Sequence, residues 1–157
     1  MTPREFLFHA KSEDDTARLG RALADALPEG CAVALNGMLG AGKTRLVKSI
    51  VAALGIDAGQ VVSPTFVLIQ PYEGRRTVCH IDAYRIQGAA ELAELGIEEL
   101  LSEYDLTFIE WAERIADALP EDCVEIDITV EGPEARLFRI ACRGACEGFL
   151  EKLAAVL

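Results

Sequence analysis

Gly37-Met38-Leu39-Gly40-Ala41-Gly42-Lys43-Thr44 sets two glycines, a lysine and a hydroxyl at the spacing G-x-x-x-x-G-K-[ST], the pattern of a loop that cradles a nucleotide triphosphate. Gly37, Gly40 and Gly42 admit backbone angles and close approaches that a β-carbon forbids, so successive N–H groups can turn toward phosphate oxygens. A helix opening at Lys43 brings its positive dipole end to the same spot. Lys43 then offers a point charge to the β- and γ-phosphates, and the Thr44 hydroxyl an oxygen ligand to Mg²⁺. A glycine-rich turn that binds nothing has no need of Lys43 and Thr44 in that register.

Such a site also needs acidic groups to hold the metal and orient a nucleophile. Two apolar runs end in an acid: Thr77-Val78-Cys79-His80-Ile81 leads to Asp82, and Leu106-Thr107-Phe108-Ile109 leads to Glu110. Each is a candidate strand-end metal acid, with a capping or surface role as the alternative. His80 beside a strand end is more often a packed or hydrogen-bonded side chain than a reactive one. Thr65 is a candidate sensor of the γ-phosphate or a cap of the turn after Pro64, and Arg85 a phosphate neutraliser or a surface ion pair. Trp111, the sole tryptophan, follows Glu110 directly; its ring can cover a purine, anchor a partner or fill core.

The elements that must position these groups are legible. Cys31 to Leu35 is a short apolar run that predicts a buried strand before the loop, and Leu46, Val47, Ile50, Val51 and Leu54 recur at helical spacing after it. Glu5 to His9 predicts a first strand, and Ser12 an N-cap with Asp14 and Asp15 in the first turn of a helix closed by Pro28 and Gly30. Pro64 makes the Ser63-Pro64-Thr65-Phe66 region an extended loop. Ala89 to Leu101 is helical in composition with a break near Gly96, and a short helix after Glu110 ends at Pro120. Strict alternation in Val124, Ile126, Ile128 and Val130, then a turn at Glu131-Gly132-Pro133-Glu134 and a second alternating run to Cys142, predicts an antiparallel hairpin. Phe149, Leu150, Leu153, Ala154 and Leu157 predict a closing amphipathic helix. The expected fold is α/β, a phosphate-loop three-layer domain with a mainly parallel central sheet and an antiparallel C-terminal hairpin, and Gly37, Asp82 and Glu110 fall at its carboxyl strand ends.

Residues 1–157 read as a single domain by length, with a hydrophobic fraction of 51%. No secretory leader and no span-length apolar run is legible, so the expected address is the cytoplasm and no membrane partner is expected. Five cysteines, an odd number without C-x-x-C pairs, are expected to be reduced structural thiols. The net charge is −11, and it is unevenly placed: residues 87–131 hold fourteen acids against Arg114 alone, whereas residues 36–86 hold six Lys and Arg against three acids. A solvated surface accounts for most of the acidic stretch; docking on a basic protein is the sharper alternative.

The ordered set of the phosphate loop, Ser63-Pro64-Thr65-Phe66, His80-Ile81-Asp82-Ala83-Tyr84-Arg85, Glu94-Leu95-Gly96-Ile97 and Ile109-Glu110-Trp111-Ala112-Glu113 resembles the motifs of the TsaE (YjeE) family. These are small bacterial ATPases needed for threonylcarbamoyladenosine formation in tRNA. The resemblance runs from about Ser12 to Pro120. It implies ATP and Mg²⁺ as cofactors and TsaD and TsaB as partners, with TsaD transferring the threonylcarbamoyl group to the adenosine and tRNA met only through those subunits. By residue, it implies that Gly37, Met38, Leu39, Gly40, Ala41, Gly42, Lys43 and Thr44 hold the phosphates, and that Thr44 and Glu110 are metal-site residues. Asp82 would act near the γ-phosphate, Trp111 and Glu113 would lie near the nucleotide, and Asp15 and Thr16 would border the adenine. Lys43, Asp82 and Glu110 are thus the expected catalytic residues.

Two other classes fit the loop. A small-molecule kinase would need arginines closing over the donor, and Arg75-Arg76 is the cluster available. A GTP-driven switch would need an N-K-x-D-like guanine reader, which the sequence lacks.

Overall fold

The computed structural model describes residues 5–61, 69–84, 86, 89–94, 96–144, 146 and 148–157. Strand β1 (Glu5–Ala10) leads to helix α1 (Glu13–Ala26), strand β2 (Cys31–Asn36) and helix α2 (Lys43–Ala53). A hairpin follows, β3 (Ile69–Glu73) and β4 (Thr77–Asp82), then helices α3 (Ala89–Glu94) and α4 (Ile97–Glu103) and strand β5 (Leu106–Glu110). A 3₁₀ segment over Ala112–Ala118, strands β6 (Cys123–Val130) and β7 (Arg136–Arg143), and helix α5 (Phe149–Val156) complete the order.

The seven strands form one sheet in the order β1-β7-β6-β2-β5-β4-β3. The middle is parallel: β2 pairs with β5 and β6, and β4 with β5, all in the same direction. Both margins are antiparallel, β7 and β1 on one side and β3 on the other. The C-terminal hairpin is as expected, while β3 is an addition to the expected fold. Its Pro71 donates no backbone hydrogen bond, which suits an edge strand and hides it from an alternation test.

Alternation across the sheet divides the core into two layers. Val33, Leu35, Val78, Phe108, Val124 and Ile126 pack on the side that holds α1, α2 and α5, while Ala34, Cys79, Ile81 and Ile109 pack with Ile86, Ile97, Ala112 and Ile115 on the other. Helices α1 and α2 cross closely because Gly20 has no side chain; a β-carbon there would sit 2.5 Å from Ser49 Cβ. Helix α1 starts as predicted, with the Asp15 N–H donating to Ser12 Oγ at 3.3 Å.

One expectation is corrected. Cys142 and Cys146 are joined as a disulfide, their Cα atoms 5.9 Å apart, while Cys31, Cys79 and Cys123 are free and buried. An odd count excludes a complete framework, not a single bridge, and the left-handed turn at Gly144 (φ 78°) brings the two chain segments together. No helix among the described residues is long and apolar enough to cross a membrane.

Candidate active site

The loop between β2 and α2 folds as its glycines allow. Gly40 (φ 81°) and Gly42 (φ 112°) occupy the left-handed region, where a side chain would be strained. Gly42 then caps α2, so that helix begins at Lys43, one turn directed at the loop. Ala41 is buried beneath the loop and its N–H donates to Met38 O at 2.9 Å. Met38 and Leu39 stand at the tip, 81% and 88% exposed.

The two strand ends arrive beside it. Asp82 and Glu110 are register partners across the parallel β4–β5 pair, and both are buried. The Thr44 hydroxyl lies 3.0 Å from each Glu110 carboxylate oxygen. The two expected metal-site residues, 66 positions apart in sequence, are therefore in direct contact. His80 Nε2 meets Glu110 Oε2 at 2.5 Å from below. Asp82 Oδ1 accepts from the Tyr84 N–H at 2.8 Å, which fixes the turn leaving β4.

Lys43 is almost fully buried and threads between these groups. Its ammonium donates to Gly37 O and, at 3.4 Å, to Met38 O. It also lies 3.6 Å from the centre of the Trp111 ring. Burial lowers the Lys43 pKa, while the negative charges of Glu113, Glu110 and Asp82 act in the opposite direction. Trp111 itself has φ 60° and ψ 36°, the one non-glycine residue at positive φ among those described. That conformation ends β5 at Glu110 and turns the ring back over the loop. Tyr84 packs on Trp111 with centroids 5.1 Å apart, and the Arg114 guanidinium lies 4.4 Å over Tyr84. Tyr84 belongs to the His80–Arg85 motif but carries no role in the sequence reading, and Arg114 is marked only by its nearness to Glu113.

A groove of about 230 Å³ continues from the loop between α1 and the β6–β7 turn, lined by Thr16, Gly40, Ala41, Gly42, Arg136 and Phe138, with Glu13, Arg45, Pro133 and Glu134 at its rim. Thr16 lines this groove. The Asp15 carboxylate serves the start of α1, accepting from the Lys11 N–H at 2.9 Å. Arg136 is a residue that sequence reasoning missed. It donates to Ala41 O at 2.8 Å and to Gly132 O and Ala135 O at 2.9 Å, tying the phosphate loop to the turn. With the partners 95 positions apart in sequence, no local pattern signals the contact. Glu113 is exposed and reaches Lys43 only through its field. Thr65 and Arg85 lie outside the described residues. Arg75 and Arg76 donate to Ala53 O and Ala24 O at the C-terminal ends of α2 and α1, the end of α2 remote from the loop.

A three-layer α/β sheet carrying this loop at the carboxyl end of β2 and acids at the ends of β4 and β5 defines the phosphate-loop NTPase class of fold. Over residues 10–138 the chain matches the family model described as threonylcarbamoyl adenosine biosynthesis protein TsaE. The chain belongs to the TsaE family. It is 40% identical to the tRNA threonylcarbamoyladenosine biosynthesis protein TsaE of Treponema pallidum over 121 residues, covering 77% of this chain and 89% of that one. It is 38% identical to the Rickettsia bellii protein over 82% of this chain and 90% of that one, and 31% identical to the Bacillus subtilis protein over 85% and 83%. The crystal structure of Bacillus subtilis YdiB superposes with a TM-score of 0.79 at 25% identity, covering 99% of this chain and 97% of that one. These relatives assign the family to tRNA threonylcarbamoyladenosine biosynthesis.

Proposed function

We propose that the chain is a Mg²⁺-dependent ATP-binding and ATP-hydrolysing accessory subunit of the assembly that forms threonylcarbamoyladenosine in tRNA. The contact of Thr44 with Glu110 at the opening of α2 carries this reading, because it joins the loop's hydroxyl to a strand-end carboxylate where a phosphate-bound metal is held in such folds.

The donor set fits Mg²⁺. A hydroxyl and a carboxylate are hard oxygen ligands, and Mg²⁺ is commonly held by one or two carboxylates with phosphates and waters completing its shell. Charge points the same way. Lys43 stands among Asp82, Glu110 and Glu113, so a polyanionic nucleotide needs a divalent cation to offset the carboxylates. Bound there, Mg²⁺ would neutralise charge on the β- and γ-phosphates.

The chain's own groups supply the rest. The loop N–H groups and the start of α2 bind phosphate oxygens. Lys43 exchanges Gly37 O and the Trp111 face for those oxygens. In this reading Asp82, buried beside Glu110, orients the attacking water. The groove beneath Thr16 and Phe138 accepts the base. TsaD- and TsaB-type subunits are the partners, and tRNA is reached only through them. Purified protein assayed for ATP turnover alone and with TsaD and TsaB tests the proposal: Mg²⁺-dependent hydrolysis stimulated by the partners is expected, and absence of ATP binding and turnover in both settings would overturn it.

A further inference from the structure

We propose that His80 is a positioning residue that acts through Glu110, an inference that rests on the magnesium-nucleotide reading above. His80 lies in β4, completely buried, on the sheet face it shares with Val78 and Asp82. Its register partner on β5 is Phe108, so its ring reaches along the strand pair to the next residue on that face, Glu110. Its neighbours on that face, Val78 before it on β4 and Phe108 beside it on β5, are apolar and buried. A residue serving only to fill this layer would be apolar too, because an imidazole taken out of water costs free energy unless it is hydrogen-bonded.

Among the described residues the ring has a single polar anchor: Nε2 meets Glu110 Oε2 at 2.5 Å, whereas Nδ1 is buried with no hydrogen-bond partner among them. The tautomer with its proton on Nε2 leaves a lone pair uncompensated; the other tautomer leaves a buried N–H without an acceptor and sets two acceptors against each other. Nε2–H therefore donates to Glu110. The consequence lies in the carboxylate. The terminal torsion of a glutamate is broad, and the Thr44 hydroxyl, 3.0 Å from both oxygens, does not choose between them. His80 does: it engages Oε2 and leaves Oε1 free of the β4–β5 network. Orienting contacts of this kind behind a metal-site carboxylate commonly account for about 10–100-fold in affinity or activity.

The test compares His80→Leu, which removes the donor and keeps apolar bulk, with His80→Gln, whose amide N–H reaches about as far as Nε2. In complex with TsaD and TsaB, His80→Leu is expected to lower turnover about ten-fold or more and to weaken Mn²⁺ binding to the ADP-bound chain, read by electron paramagnetic resonance, by a similar factor. ATP affinity should stay within about three-fold, and His80→Gln should recover most of the loss. In a Glu110→Gln background, His80→Leu should add less than about two-fold, since a residue acting through Glu110 has nothing left to act on. Equal losses in Leu and Gln variants, or losses that multiply in the double variant, would overturn the proposal and leave a packing role. Should His80→Leu not fold, long-range ¹H–¹⁵N spectra of wild-type histidines decide: an Nε2–H tautomer whose signal moves in Glu110→Gln supports the contact, and a proton on Nδ1 refutes it. A wild-type chain that neither binds nor hydrolyses ATP would instead sink the magnesium-nucleotide reading, which those spectra do not depend on.

Discussion

The Lys43 ammonium lies 3.6 Å from the centre of the Trp111 ring, so the loop that opens the site and the strand end that closes it meet through one cation and one aromatic face. The contact requires Trp111 to adopt a left-handed backbone conformation, which costs about 1–2 kcal/mol in an L-residue. A desolvated cation–π contact contributes on the order of 2 kcal/mol, enough to offset it.

Phosphate oxygens entering the loop compete with the ring and with Gly37 O for Lys43, and ATP should therefore change the fluorescence of Trp111. The signal is clean because the chain has one tryptophan. Lys43→Ala should abolish the response and weaken ATP binding about ten- to a hundred-fold, the equivalent of a charge-assisted contact of roughly 1.5–3 kcal/mol. Wild-type affinity in a calorimetric titration of the folded variant would refute the assignment of Lys43.

Glu110→Ala and Asp82→Ala should each cost more in turnover than in nucleotide affinity, since placement of metal and water matters most in the transition state. A fall in turnover of at least about ten-fold is expected for each in the reconstituted complex. Wild-type turnover would remove that residue from the site.

The loop, the two acidic strand ends and the parallel middle of the sheet were all legible because each has a local signature: fixed glycine spacing, or an apolar run ending in an acid. What the sequence hid is what non-local contacts decide. Strand β3 carries Pro71 and breaks alternation, yet it pairs with β4 over five residues from Ile69 to Glu73. Arg136 reads as the first residue of a strand, and only the folded chain brings it to Ala41. His80 reads as a packed or hydrogen-bonded side chain, and that its partner is Glu110 depends on strand register that no single run encodes. The Cys142–Cys146 bridge escaped for a different reason, because counting cysteines says nothing about one short-range pair.

Arg136→Ala should loosen the phosphate loop from the β6–β7 turn. The lost bonds to Ala41, Gly132 and Ala135 carbonyls are of the charge-assisted kind, roughly 1.5–3 kcal/mol for one such contact. A lower melting temperature and weaker ATP binding are expected, with Arg136→Lys restoring little because a single ammonium cannot span the fork of acceptors. Full recovery by lysine would show that charge alone matters there.

Burial pushes the Cys31 and Cys79 thiols up to about 12, so neither has an appreciable thiolate population near neutral pH. Native protein treated with iodoacetamide should carry no label at these positions, and prior reduction should open Cys142 and Cys146. Because the folded thiols titrate above their ordinary value of 9.0, their contribution to stability is intact below that pH and is lost as the pH rises toward about 12. Ready labelling of Cys31 or Cys79 in the native state at neutral pH, measured by mass spectrometry, would contradict their burial.

Service in tRNA modification does not require the chain to grip tRNA itself, and its charge argues against it. Non-specific affinity for nucleic acid comes mainly from Lys and Arg displacing counterions from phosphates, and this chain has a net charge of −11 with a strongly acidic stretch over residues 87–131. The cations near the loop are engaged: Lys43 with loop carbonyls, Arg136 with the β6–β7 turn and Arg45 with Glu13 at 3.0 Å. Another basic feature among the described residues is a groove of about 220 Å³ between α1 and α5, lined by Arg18, Arg21 and Lys152 with Asp25 beside them, and three cations neutralise too few phosphates for tight binding at physiological salt. The isolated chain should therefore show no tRNA binding at micromolar concentration in a filter-binding titration at physiological salt, and only weak binding when salt is lowered. Micromolar, salt-sensitive binding abolished by Arg18→Glu or Lys152→Glu would overturn this and make the α1–α5 groove a direct RNA contact.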